Sequence, residues 1–86
     1  MDAAKFKSVV MERLPFIAND DDFHTMSLNC ETLHGEGYTV DEAVAYLSCC
    51  ELISPDLDED VALERMKSIR EQVKARNNQQ GKEQEN

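Results

Sequence analysis

The sequence predicts an all-α protein, a small bundle of about four helices with a mobile C-terminal tail. Three observations carry this expectation. Apolar residues recur at steps of three and four in four separate stretches, with no sustained two-residue alternation. Each stretch is bounded by residues that start or stop helices. Of the 86 residues, 41% are hydrophobic, enough for one small core and too many for a wholly disordered chain.

The first helix starts with Asp2 as N-cap and lays Phe6, Val9, Val10 and Leu14 on one face. Pro15 ends or kinks it, because proline disfavours helical geometry in the residue before it. Phe16 and Ile17 continue as a short apolar turn. Asn19-Asp20-Asp21-Asp22 is a loop and N-cap cluster for a second helix, whose stripe is Phe23, Met26, Cys30 and Leu33. Gly35-Glu36-Gly37 stops it, since glycine adopts the left-handed conformation at a helix end cheaply.

Thr39-Val40-Asp41-Glu42 is a capping box, in which Thr39 and Glu42 each satisfy the other's backbone N–H. The third helix runs from there through Ala43, Val44, Leu47 and Cys50 to about Leu52. Ser54-Pro55-Asp56 separates it from the fourth, with Pro55 in the first turn and Asp56, Asp58, Glu59 and Asp60 at the positive end of the dipole. Ala62, Met66, Ile69 and Val73 form the stripe of that helix, with Arg76 next in register. Lys67, Arg70, Lys74 and Arg76 complement its negative end. Residues 1–76 therefore read as one helical domain. Residues 77–86 contain no apolar side chain and read as the tail.

Charge is distributed by segment. Between Arg13 and Arg65 there is no lysine or arginine, yet there are 13 carboxylates: Asp20, Asp21, Asp22, Glu31, Glu36, Asp41, Glu42, Glu51, Asp56, Asp58, Glu59, Asp60 and Glu64. Both ends carry more cations than anions, and the net charge is −9. Such a field repels nucleic acid and anionic membranes and attracts basic protein surfaces. The cations of the fourth helix are interrupted by Glu64 and Glu71, so direct nucleic-acid binding is not expected. No apolar run approaches the roughly 20 residues needed to span a bilayer. Three cysteines and no leader-like opening segment predict reduced thiols in a soluble, cytoplasmic protein.

No cofactor or metal is expected. Asp56, Asp58 and Asp60 imitate the start of a calcium loop, but Val61 stands where glycine is needed and Lys67 where glutamate is needed. A zinc alternative would use Cys30 and His34, four residues apart, with Cys49 or Cys50. No glycine-rich phosphate loop is present, and so short a helical chain offers little concave surface for catalysis. The expectation is a non-enzyme with no catalytic residues.

The stretch Gly37-Tyr38-Thr39-Val40-Asp41-Glu42-Ala43-Val44-Ala45-Tyr46-Leu47, followed by Glu51-Leu52-Ile53, lies in a span from about Phe23 to Arg70. Over that span the chain resembles the late-transcription coactivators of T-even-like and cyanobacterial phages. The resemblance implies a helical adaptor that docks on host RNA polymerase, in the host cytoplasm if the chain is phage-encoded. Family members also end in an apolar peptide that engages the sliding clamp. This chain ends Gln79-Gln80-Gly81-Lys82-Glu83-Gln84-Glu85-Asn86, so clamp binding is not carried over.

These observations converge on an acidic protein-interaction module that binds a basic surface of host machinery, with RNA polymerase the first candidate. The predicted contact set is Tyr38, Asp41, Glu42, Tyr46, Glu51, Asp56, Asp58, Glu59 and Asp60. The tyrosines would be apolar anchors, Tyr38 alternatively stapling its helix against Ala43. Met11, Met26 and Met66 read as core filler. A second function from the same charge block is a DNA mimic that inhibits a host nuclease, restriction enzyme or CRISPR complex. The stripe of the fourth helix, near heptad spacing, also suggests a homodimer seam.

Overall fold

The computed structural model describes residues 1–15 and 19–85, and side chains through residue 78. Four helices occur among the described residues, α1 (Ala3–Arg13), α2 (Asp20–Gly35), α3 (Val40–Leu47) and α4 (Glu59–Glu85), with no strand. The all-α expectation is met. The expected apolar turn at Phe16 and Ile17 lies outside the described residues.

Capping follows the sequence closely. The Asp2 carboxylate accepts from the Lys5 amide at 2.8 Å, and the Asn19 side chain accepts from the Asp22 amide at 2.9 Å. Asp20, Asp21 and Asp22 then occupy the first turn of α2, where the helix dipole favours them. Leu14 leaves the helix at ψ 134°, as a residue before proline should. At the end of α2 the Gly37 amide donates to the His34 carbonyl and the Tyr38 amide to the Leu33 carbonyl, both at 3.1 Å. Gly37 sits at φ +89°. This is a Schellman motif, and it turns Tyr38 back toward Leu33, both buried. The Thr39/Glu42 capping box is formed in both directions, at 2.9 and 3.2 Å.

Between α3 and α4, two boundaries differ from the sequence expectation. The third helix stops at Leu47 instead of Leu52. Beyond it the amides of Cys49, Cys50 and Ile53 donate to carbonyls three residues back, and the Ser54 hydroxyl caps the Ser48 carbonyl at 2.6 Å. These tight turns swing Ile53 inward, to 6% exposure. The fourth helix starts at Glu59 instead of Pro55. Pro55 occupies the second position of a turn closed by the Leu57 amide on the Ser54 carbonyl, a favoured place for proline. Asp58 is the cap, its Oδ1 accepting from the Asp60 and Val61 amides at 2.9 and 3.3 Å.

Helices α1 and α2 form an antiparallel pair. The Phe6 and His34 rings lie 5.1 Å apart, and Lys7 Nζ lies 3.6 Å from Glu31. The short α3 is the hub, packing against α1, α2 and α4. It places Ala43 and Leu47 in a core with Phe6, Val10, Met26, Cys30, Leu33, Tyr38 and Val73. Helix α4 runs antiparallel to α3, and among the described residues no other helix brings its backbone close to it. Its predicted stripe turns inward, with Ala62 and Val73 buried and Met66 and Ile69 half-buried. The radius of gyration, 13.8 Å, exceeds the ~12 Å expected of a compact chain this long, because α4 overhangs the body. Asn77 belongs to that body, since its Nδ2 donates to the Glu36 carbonyl at 2.8 Å. The rest of the predicted tail, from residue 79 on, lies outside the described side chains.

Candidate interaction surfaces

The fold divides the nine predicted contact residues into three groups. Glu42 is a structural residue. It is 8% exposed, and both its oxygens are occupied: Oε1 by the Thr39 amide and Arg76 Nη2, Oε2 by Arg76 Nη1 and Gln72 Nε2. Hydrogen bonding from Arg76, with lesser help from the Thr39 amide and Gln72, outweighs the cost of burial and holds the carboxyl down at about 2. This corrects the expectation of a partner-facing Glu42, because the arginine has already claimed it.

Asp41 is exposed but ion-paired, with Oδ1 2.6 Å from Arg13 Nη1. Together with Lys7–Glu31 and Arg76–Glu42, this shows a rule of the fold. Each ion pair among the described residues joins a cation from a terminal segment to a carboxylate of the acidic middle. The basic ends wrap the body and neutralise it locally.

Glu51, Asp56, Asp58, Glu59 and Asp60 form the second group. All are exposed around the α3–α4 connection, and none joins an ion pair among the described residues. Asp58 is partly committed to capping α4. Glu51 and Glu59 border one hollow of about 480 Å³ with Leu57, Leu63 and Met66. Leu52, Val61 and Leu63 are 39–57% exposed there. This end of the molecule is both acidic and apolar.

The tyrosines make up the third group. Tyr38 is buried and Tyr46 half-buried, their rings edge-to-face at 5.6 Å. Burial pushes the Tyr38 phenol up from its usual range. The Tyr46 hydroxyl accepts from Arg70 Nη2 at 3.1 Å. Both rings line a cleft of about 870 Å³ between α2 and α4, bordered by Arg70 and Lys74. The tyrosine cleft and the acidic hollow adjoin, since Cys50 and Met66 line both. Sequence reasoning missed Arg70 and Lys74 as site residues. Their spacing of four placed them on one helical face, but only the packing of α4 shows that this face borders the tyrosines.

The zinc alternative is not assembled. Cys30 is fully buried, His34 packs on Phe6, and no cluster of three potential ligands forms among the described residues. Burial raises the Cys30 and Cys50 thiols. None of the described helices is long and apolar enough to cross a membrane. No family model matches the chain, and no curated protein or solved structure matches it significantly.

Proposed function

We propose that this chain is a small helical protein-interaction module whose acidic end, around the α3–α4 connection, binds a basic protein surface. The carrying observation is the contrast between the two parts of the acidic block. Asp41 and Glu42 are neutralised by arginines from the chain's ends, while Glu51, Asp56, Glu59 and Asp60 remain exposed and unpaired beside exposed Leu52, Val61 and Leu63. Rim carboxylates speed encounter and impose salt sensitivity, while the leucines supply desolvated contact that slows release. Host RNA polymerase is the first partner to test, on the strength of the resemblance carried by Gly37–Leu47 and Glu51–Ile53.

The test is binding to bacterial RNA polymerase by biolayer interferometry across a salt series. The comparison is a variant carrying Glu51→Lys, Asp56→Lys, Glu59→Lys and Asp60→Lys, which spares Asp41, Glu42 and the Asp58 cap. The variant should bind at least about tenfold more weakly, with a flatter salt dependence. Equal affinity and equal slope would remove the proposal. Displacement of the chain by duplex DNA would favour the DNA-mimic function instead.

A further inference from the structure

We infer that the cleft between α2 and α4 is a second docking site, of opposite charge preference, that takes an acidic amphipathic segment of another protein. The backbones of the two helices stay apart among the described residues, and the cleft between them is bridged at one end, where Asn77 Nδ2 donates to the Glu36 carbonyl. Its inner wall is Tyr46, Cys50 and Met66, all half-buried, over the buried Tyr38 ring. One rim carries Arg70 and, one helical turn on, Lys74.

Charge selects the occupant. Among the described side chains, Lys7, Arg13 and Arg76 are already paired with carboxylates. Arg70 is held by the Tyr46 hydroxyl instead, which orients the guanidinium without neutralising it. An arginine positioned by a neutral acceptor keeps free N–H groups in the planar fork that pairs a carboxylate bidentately. Lys74 adds a second point charge. The single carboxylate lining the cleft is Glu36. A partner helix would therefore place its acidic side chains on Arg70 and Lys74 and an apolar side chain against Tyr46, Cys50 and Met66. The chain's overall negative field opposes this at long range. At about 0.15 M salt the field is screened beyond about 8 Å, so the contacts inside the cleft decide.

The probe is a fluorescein-labelled synthetic amphipathic helix with leucines along one face and glutamates flanking them, titrated with the full chain at physiological salt. A glutamine-for-glutamate version is the control peptide. Anisotropy should show saturable binding of the glutamate peptide, at least about fivefold tighter than the control. Amide NMR shifts should move at Tyr46, Cys50, Met66 and Arg70 and not around Asp56–Asp60. Arg70→Glu with Lys74→Glu should abolish binding, whereas Lys5→Glu with Lys67→Glu, an equal charge change away from the cleft, should leave it within about twofold. Tyr46→Phe keeps the ring and frees the guanidinium, and should weaken binding about threefold with helical content unchanged. No binding, no preference for glutamate, equal loss in both charge-reversed variants, or shifts confined to the α3–α4 end would each overturn the inference. Because the two surfaces share no acidic residue, failure here leaves the polymerase test above unaffected.

Discussion

Arg76 grips Glu42 with both terminal nitrogens, each 2.7 Å from a different carboxylate oxygen, while Nη2 also donates to the Gly37 carbonyl at 2.7 Å. One side chain of α4 thereby fastens the start of α3 and the end of the α2 turn. Removing Arg76 leaves a nearly buried carboxylate short of its charged partner, so Arg76→Ala should destabilise by about 2–3 kcal/mol. Glu42→Ala should cost a similar amount, and the double variant much less than the sum. Urea denaturation of the double-mutant cycle measures this coupling. Strict additivity would show that the pair contributes nothing beyond its separate contacts.

The same carboxylate sets the response to acid. Its ordinary value is 4.5 and the fold holds it at about 2, so the folded state favours the ionised form. The resulting stabilisation is complete above pH 4.5 and is lost as pH falls toward 2. It amounts to something on the order of 2–3 kcal/mol. Denaturant midpoints measured from pH 6 down to pH 2 should therefore fall most steeply in that interval. Glu42→Gln, which cannot ionise, should be less stable at neutral pH and show a shallower decline. Parallel pH profiles for the two proteins would assign the acid sensitivity elsewhere.

The stripe of α2 separates what periodicity reveals from what it cannot. Phe23, Met26, Cys30 and Leu33 share one predicted face, yet Met26 is 1% exposed and Phe23 51%. Spacing gives the direction of a side chain but not where the neighbouring helix ends. Phe23 lies in the first turn of α2, at the edge of the α1–α2 contact. Met26→Ala should cost about 2–5 kcal/mol, whereas Phe23→Ser should change stability by about 1 kcal/mol or less. Thermal unfolding of the two variants checks the contrast.

Local chemistry was legible wherever a single segment decides the outcome. Asp2, Asn19, the Thr39/Glu42 box and the Gly37 stop depend only on residues within five positions of each other. The α3–α4 boundaries were not, because competing caps sit close together: Asp58 supplies the cap that Pro55 and Asp56 were expected to mark. The acidic surface was legible as a charge total but not as a surface. Which carboxylates stay free depends on where Arg13 and Arg76 land, 28 and 34 residues away in sequence from Asp41 and Glu42. The α2–α4 cleft was invisible for the same reason, since it lies between two helices whose backbones stay apart and which are joined through α3 and through the Arg76 and Asn77 bonds to the α2 stop.

The two glycines of the α2 stop should respond oppositely to alanine. A methyl group at Gly35 would meet nothing within 4 Å, and the residue is helical. Gly35→Ala should stabilise by about 0.5–1 kcal/mol through helix propensity alone. Gly37 lies at φ +89°, where a side chain is strained, and an added Cβ would come within 3.1 Å of the Asn77 amide group. Gly37→Ala should cost about 1–2 kcal/mol. Strain and contact separate in the Asn77→Ala background. The Asn77 side chain is exposed and its tip can move aside, so backbone strain should dominate and the cost of Gly37→Ala should persist there. If the cost disappears in that background, the Asn77 contact, and not the left-handed backbone, is what reserves the position for glycine.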